Sequence, residues 1–191
     1  MANFTKKAIV DSFYNLLQKK HLNQITVKDI VTDCGVNRNS FYYYFEDIPS
    51  LLTEQIDFLC EKIMANYSEH SSIEDWLIYV LSLAKENRKI LNNCLSYIER
   101  STYEKYMTKV FGYIISKYIE KTAEAKSVSD DDREIIVRFF IYQYTGFFLD
   151  WFKNGMSDDI SRLISRTSYL QDGILEMMIS KASSQNIEKN T

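Results

Sequence analysis

The 191-residue chain is poor in residues that break helices, with a single proline and five glycines. It also lacks any sustained alternation of β-branched apolar and polar residues, the pattern that predicts half-buried strands. An all-α fold is therefore expected, and an apolar content of 46% is enough to bury a sizeable core. With 26% charged and 14% aromatic residues, the composition excludes a disordered or low-complexity protein.

Cysteine and histidine are also scarce. Cys34, Cys60 and Cys94 are odd in number, widely spaced and set in apolar helical patterns, which predicts reduced core residues of a cytoplasmic protein. His21 and His70 have no second ligand at metal spacing, so no metal site is expected. No glycine-rich phosphate loop or nucleophile elbow occurs, and we expect neither a cofactor nor an enzymatic activity.

No segment of the chain has the pattern of an export signal or of a membrane-spanning helix, so no membrane partner is expected. The N-terminus lacks an apolar run followed by a small-residue cleavage site, so export is not expected. The most apolar run, 135–152, is interrupted by Arg138, Gln143 and Asp150 and is shorter than the ~20 residues of a spanning helix. This run is predicted to be a buried helix of a cytoplasmic protein.

The formal net charge of −3 argues against a generally basic nucleic-acid-binding surface. Residues 1–50 carry six basic against five acidic residues, whereas the rest carries 17 against 21, which gives +1 and −4. Specific docking on DNA needs only a few well-placed donors to phosphate. The charge distribution is therefore weak support for nucleic-acid contact through the N-terminal part.

Two short helical patterns meet at a glycine near the N-terminus. Thr26 is predicted to cap the first helix, Gly35 to end it, and Asn37 to cap the second. On the second helix Phe41 and Phe45 lie four residues apart and share one face. The flanks and opposite side carry polar and aromatic residues, namely Arg38, Asn39, Ser40, Tyr42 and Tyr43. This is the arrangement by which a helix-turn-helix places a recognition helix in the major groove of DNA.

The last two predicted helices differ in character. Residues 133–153 are apolar on nearly every face, whereas residues 158–180 carry one apolar stripe. A monomer cannot cover all sides of the first of these helices, so we expect a homodimer formed through both. The interface residues predicted on this basis are Phe148, Trp151, Phe152, Leu163, Thr167, Leu170 and Ile174.

Residues 26–47 read Thr-Val-Lys-Asp-Ile-Val-Thr-Asp-Cys-Gly-Val-Asn-Arg-Asn-Ser-Phe-Tyr-Tyr-Tyr-Phe-Glu-Asp, and Leu51 and Leu52 follow shortly after. This run resembles the N-terminal domain of the tetracycline-repressor-like (TetR/AcrR) family of bacterial transcriptional regulators. The segment Trp-Phe-Lys-Asn-Gly-Met, residues 151–156, is similar to the branch related to the dihydroxyacetone-kinase operon activator. The resemblance implies an all-helical homodimer in which three N-terminal helices bind DNA and a larger C-terminal bundle dimerises and often holds an inducer.

Carried over to this chain, the resemblance implies roles for individual residues. Thr26 and Lys28 would meet phosphate, as would Tyr42 and Tyr44 on the two walls of the groove. Base edges would be read by Arg38, Asn39 and Tyr43, and Asn37 and Ser40 complete the predicted DNA-binding set. The alternative for the tyrosines is simple packing at the helix surface. Ile48 stands where the family usually has a lysine, which predicts weaker DNA binding or dependence on a partner protein.

Together these features predict about nine helices in three parts. The parts are a helix-turn-helix domain over 1–46, a dimerisation and effector domain over 47–181, and a flexible tail over 182–191. An effector pocket is predicted from seven aromatic residues, Trp76, Tyr79, Tyr97, Tyr113, Phe139, Tyr142 and Phe147, although core packing is the alternative. The predicted function is a ligand-responsive repressor that binds an operator in double-stranded DNA. The alternatives are a DNA-independent or partner-dependent adaptor on the same fold and a small helical enzyme.

Overall fold

The computed structural model describes residues 2–66, 72–95, 97–121, 127–156 and 159–189. These residues contain no strand, which confirms the predicted all-α fold. They form a 3₁₀ turn at Leu22–Gln24 and ten α-helices: α1 (Ala2–Leu17), α2 (Val27–Cys34), α3 (Arg38–Tyr44), α4 (Ile48–Ala65), α5 (Ile73–Glu86), α6 (Arg88–Leu95), α7 (Arg100–Lys121), α8 (Asp130–Lys153), α9 (Ile160–Leu170) and α10 (Ile174–Lys189). Within the ranges described, no helix has the length and apolarity needed to cross a membrane.

The chain divides into two compact units. The first unit comprises Met1–Glu61 with Glu86–Tyr103, and the second comprises Lys62–Lys85 with Glu104–Thr191. The first unit thus includes most of α4 and all of α6, which lie beyond residue 46. The reason is packing, since Leu51 of α4 and Cys94 of α6 are buried in the same apolar cluster as the first three helices.

The first unit is held together by side chains that converge from five helices, α1, α2, α3, α4 and α6. Its fully or nearly fully buried members are Ile9, Phe13, Leu16, Leu17, Ile25, Ile30, Phe41, Phe45, Leu51 and Cys94. The hydrogen bonds of the described residues include two that cross between helices. The buried Ser12 hydroxyl donates to the carbonyl oxygen of Ile30 at 3.1 Å, and the Asn93 amide Nδ2 donates to the carbonyl oxygen of Leu17 at 2.7 Å. Helix α1 is thereby joined to both α2 and α6.

The second unit is built around α8. One side of this helix, including Ile136, Phe140, Tyr144 and Trp151, is buried. The aromatic packing extends from α8 to α7, because the Phe111 ring of α7 lies 5.8 Å from the Tyr144 ring. Helix α8 therefore has a buried face within the single chain, although its sequence is apolar on nearly every side.

The segment predicted as one last helix is interrupted by a turn. Residues 171–173 separate α9 from α10, and Gly173 adopts a left-handed backbone with φ +75°. Glycine adopts this conformation without a steric penalty, which explains why the helix breaks there. Helix α10 then continues to Lys189 and buries Ala182 and Ser183, so most of the segment predicted as a tail is helical. Residues 190 and 191 lie outside the described residues.

Candidate nucleic-acid interface

Helix α2 begins at a complete capping box. The Thr26 hydroxyl accepts from the Asp29 backbone N–H at 3.2 Å, and the Asp29 carboxylate accepts from the Thr26 backbone N–H at 2.9 Å. The Lys20 ammonium lies 3.2 Å from the same carboxylate. The pKa of Asp29 is lowered, mainly by the hydrogen bonds from Thr26 and then by Lys20. The start of α2 is therefore fixed by local hydrogen bonds together with one contact from beyond the helix.

A glycine turn joins α2 to α3. Gly35 has φ +70°, and its backbone N–H donates to the Val31 carbonyl to close the last turn of α2. No atom lies within 4 Å of the position that a Cβ at Gly35 would occupy. The positive φ alone therefore explains the glycine here, because L-residues with a Cβ are strained in that conformation.

The start of α3 is held by two residues of the predicted DNA-binding set. The Asn37 side-chain oxygen accepts from the Ser40 backbone N–H at 2.8 Å and from the Ser40 hydroxyl at 3.1 Å. Asn37 is thus the N-cap, as predicted. These bonds give both side chains a local structural role in the free protein.

The remaining predicted contacts project from α3. Arg38 and Asn39 are exposed, and Tyr42 and Tyr43 retain 47% and 78% of their accessible surface. The Arg38 guanidinium donates to the Tyr42 hydroxyl at 3.2 Å, with its carbon 5.6 Å from the centre of the Tyr42 ring. Tyr44 is half-buried, and its ring lies 4.8 Å from that of Tyr43. The structure thus brings these side chains onto one accessible surface.

The opposite side of α3 lies in the core. Phe41 and Phe45 are 0% and 3% exposed, and their rings lie 5.8 Å apart. This is the face predicted from their spacing of four residues. Ile48, at the head of α4, is half-buried and packs against the same cluster, so it supplies apolar contact at a position where the resemblance implies a lysine. The orientation of α3 is therefore set by apolar burial.

Few cations near this surface are available to a ligand. Lys6 pairs with Glu54 at 2.8 Å, and Lys7 pairs with Asp11 at 2.6 Å. Lys28 is exposed and, within the described part of the chain, makes no ion pair. With Arg38, it is the main positive charge on α2 and α3. A phosphate backbone would meet a small number of charges here.

Three contacts that support this surface were not predicted. They are the Ser12 bond to α2, the Asn93 bond to α1 and the Lys20 pairing with Asp29. Ser12 and Asn93 reach partners 18 and 76 residues away in the chain. No local spacing pattern identifies such partners. A buried serine on an otherwise apolar face of α1 was the only available signal for one of them.

The seven aromatic residues predicted to line an effector pocket differ widely in burial. Trp76 is 3% exposed, whereas Phe139 and Tyr142 are 49% and 70% exposed. Tyr79 and Phe147 are half-buried, and Tyr113 is at the border of exposed. Tyr97 belongs to the first unit, where it lines a groove of about 530 Å³ with Leu22, Ile48 and Leu52. The set does not form one wall, and the effector pocket stays a prediction.

The residues predicted to form a dimer interface also divide by burial. Phe148 and Trp151 are 7% and 1% exposed within the single chain, so their burial requires no partner. Phe152, Leu163, Thr167 and Ile174 are half-buried, and Leu170 is 64% exposed. The accessible apolar surface of α8 lies instead at Ile135, Phe139 and Tyr142.

Among the residues that the structure describes, no group of three or more His, Cys, Asp or Glu side chains is arranged to hold a metal ion. Cys60 and Cys94 are buried and Cys34 is half-buried, all as free thiols. Burial raises the pKa of the Cys94 thiol to about 11, which keeps it protonated. His70 lies outside the described residues.

Known proteins resemble this chain in sequence and in fold. A family model described as a transcriptional regulator C-terminal region of the TetR type matches residues 71–173, more than half of the chain. A curated relative, the HTH-type dhaKLM operon transcriptional activator DhaS of Lactococcus lactis subsp. lactis (strain IL1403), is 27% identical over 84 residues. That match covers 44% of this chain and 45% of the relative.

Two solved structures share the fold. The dihydroxyacetone kinase operon activator DhaS superposes with a TM-score of 0.66 at 19% identity, covering 93% of this chain and 96% of that one. NalD of Pseudomonas aeruginosa, the secondary repressor of the MexAB-OprM multidrug efflux pump, gives a TM-score of 0.62 at 16% identity, covering 88% and 96%. The family match, together with this shared all-α fold, establishes that the chain belongs to the tetracycline-repressor-like family of transcriptional regulators.

Proposed function

We propose that the chain is a sequence-specific DNA-binding transcriptional regulator that acts as a cytoplasmic homodimer and reads DNA with α3. The observation that carries the proposal is the division of α3 into two faces. Arg38, Asn39 and Tyr43 are exposed on a helix whose other side buries Phe41 and Phe45. Arginine is chemically suited to guanine and asparagine to adenine in the major groove.

The phosphate contacts are proposed to be few. Lys28 carries an exposed charge, and Tyr42 and Tyr44 supply hydroxyl groups on either side of α3. The Thr26 hydroxyl donates to the Asp29 carboxylate at 2.8 Å, so a phosphate contact by Thr26 requires that bond to be exchanged. Each phosphate contact contributes about one unit to the salt slope of binding. We therefore expect weak salt dependence.

The test is fluorescence anisotropy with DNA from upstream of the gene, compared with a scrambled duplex. Arg38→Ala should cost ~1 to 3 kcal/mol on the cognate site and reduce discrimination. Arg38→Lys should also lose discrimination but retain the salt slope, because lysine keeps the charge without the planar pair of donors. Lys28→Ala should weaken both duplexes alike and lower the salt slope by about one unit. Lys85→Ala, which removes an exposed lysine in the second unit, is the control.

The rival function is an adaptor that keeps the fold but does not read DNA. The half-buried apolar Ile48 in place of a lysine is the observation that favours it. An adaptor would bind cognate and scrambled duplexes equally, and neither Arg38→Ala nor Lys28→Ala would alter that binding beyond the Lys85→Ala control. Equal binding of both duplexes by the unmodified protein would refute the regulator proposal.

Homodimerisation is proposed to cover the exposed stripe of α8. Ile135, Phe139 and Tyr142 are spaced by four and three residues, so they lie on one side of the helix, and they are 61%, 49% and 70% exposed. Sedimentation should give about 45 kDa, twice the chain mass of 22.5 kDa. Phe139→Glu should yield the monomer, whereas Phe58→Glu, at a 65% exposed position of the first unit, should not. A monodisperse monomer at micromolar concentration refutes this part.

An effector site in the second unit is proposed from unpaired polar groups. The Trp76 and Trp151 indole N–H groups and the Gln143 amide are buried, with no hydrogen-bond partner among the described residues. Buried polar groups are ordinarily paired, so a ligand or water would satisfy them. A thermal-shift screen of small metabolites should then find stabilisers. A partner protein in place of a small molecule is the alternative, and it would leave such a screen empty.

A further inference from the structure

A cavity in the second unit has an acidic lining. It has a volume of about 210 Å³ and lies at the start of α5, the end of α7, the middle of α8 and the turn between α9 and α10. Glu74, Asp172 and Glu176 contribute three carboxylates to its wall, and the described residues of the lining include no lysine or arginine. None of the seven aromatic residues predicted for the effector pocket takes part. A concave site lined by one sign of charge concentrates ions of the opposite sign.

Two of these carboxylates are held in place by neighbouring helices. The Tyr118 hydroxyl of α7 donates to the Glu176 carboxylate at 2.6 Å, and the Ser165 hydroxyl of α9 donates to that of Glu74. Glu74 and Glu176 also lie in the first turns of α5 and α10. Each helix start offers roughly half a positive charge, so the two ends offset about one of the three negative charges. About two negative charges remain without compensation.

Tyr144 supplies a further polar group in the cavity wall. The residue is only 8% exposed, it lines the cavity, and its hydroxyl has no hydrogen-bond partner among the described residues. Burial raises the pKa of Tyr144 to about 12, so the hydroxyl stays protonated and polar. The hydroxyl oxygen is not among the fully buried unpaired atoms, so it is open to a ligand that enters the cavity. The aromatic rings of Phe140 and Tyr118 line the same cavity.

We propose that this cavity binds a small organic ammonium compound. Its charge is complementary to Glu74, Asp172 and Glu176, its N–H groups donate to the carboxylates and to the Tyr144 oxygen, and its carbon chain packs against aromatic rings. An inorganic ion fits less well, because the described acidic residues are not grouped closely enough to share a metal. That such a compound also changes DNA binding rests on the proposed function; the binding site itself does not.

The experiment is calorimetric titration of the full-length protein at low salt with 1,4-diaminobutane and with the neutral 1,4-butanediol. The diamine should bind and the diol should not. Glu176→Gln preserves an acceptor for Tyr118 but removes the charge, and Asp172→Asn likewise removes one charge. Each should weaken the diamine about fivefold, and the double variant should weaken it further. Glu86→Gln, at an exposed position of α5 outside the cavity, should have no effect.

The Tyr144→Phe variant distinguishes a loss of diamine binding from a loss of protein stability. It removes only the hydroxyl, so it should weaken the diamine about threefold while leaving the melting temperature of the free protein unchanged or raised. Equal binding of diol and diamine, equal weakening by Glu86→Gln, or a matching response to magnesium alone overturns the proposal. If the protein binds the diamine but not DNA, the proposed cavity site stands and the proposed regulator function is refuted. If the protein binds DNA but not the diamine, only the cavity site is refuted.

Discussion

Asn93→Ala tests how far one hydrogen bond between α6 and α1 stabilises the first unit. The Asn93 amide donates to the Leu17 carbonyl at 2.7 Å, and Leu17 lies in the last turn of α1, where carbonyls lack partners within the helix. The substitution removes the donor and leaves the carbonyl unpaired in a partly buried place. The expected loss is about 1–2 kcal/mol in the free energy of unfolding of the first unit.

The chain provides a closely matched control. Asn92 neighbours Asn93 on α6 and is exposed. Asn92→Ala makes the same chemical change and gains the same few tenths of a kcal/mol in helix propensity. The difference between the two variants therefore isolates the hydrogen bond to Leu17.

The assay must report the first unit. Both tryptophans of the chain, Trp76 and Trp151, belong to the second unit, so indole fluorescence follows the wrong part. Native-state hydrogen exchange of the slowest amides of α1 reports the correct one. Asn93→Ala should lower their protection about tenfold more than Asn92→Ala, since ~1.4 kcal/mol is a factor of ten. Equal protection in the two variants would show that the bond contributes nothing to stability.

Two further predictions concern the turn and the capping box. Gly35→Ala should destabilise the first unit by ~1 kcal/mol because φ is +70° there, measured by the same exchange. A Cβ at Gly146 would also meet open space, but Gly146 lies inside α8, where alanine favours the helix. Gly146→Ala should therefore leave the stability of the second unit unchanged or raised, as measured by tryptophan fluorescence during unfolding. A loss of stability as large as that of Gly35→Ala would contradict the reasoning. The lowered pKa of Asp29 means that its contribution to stability is complete above the unfolded-state pKa, ~3.9, and is lost as pH falls through the lower folded pKa. Asp29→Asn should flatten this part of the acid titration of the first unit, and an unchanged titration would show that the carboxylate is not stabilised in the fold.

The local features of α2, α3 and the turn between them were predictable from the sequence. Thr26, Gly35 and Asn37 cap or end their helices as expected, because each acts through the backbone of residues three or four positions away. The burial of Phe41 and Phe45 follows from the helical repeat, which places residues four apart on one side. All of these features depend on interactions within one turn of helix, and such interactions follow directly from the order of residues along the chain.

What the tertiary structure decided involves residues far apart in the chain. An apolar pattern on every face of α8 could not reveal that Phe148 and Trp151 are buried within one chain while Ile135 and Tyr142 are exposed. That choice depends on which neighbouring helix packs against each side. The acidic cavity likewise joins residues of α5, α7, α8 and α10, whose spacing along the chain carries no common period. The sequence determined the helices and their caps, and only the packing of helices against one another determined which side chains meet.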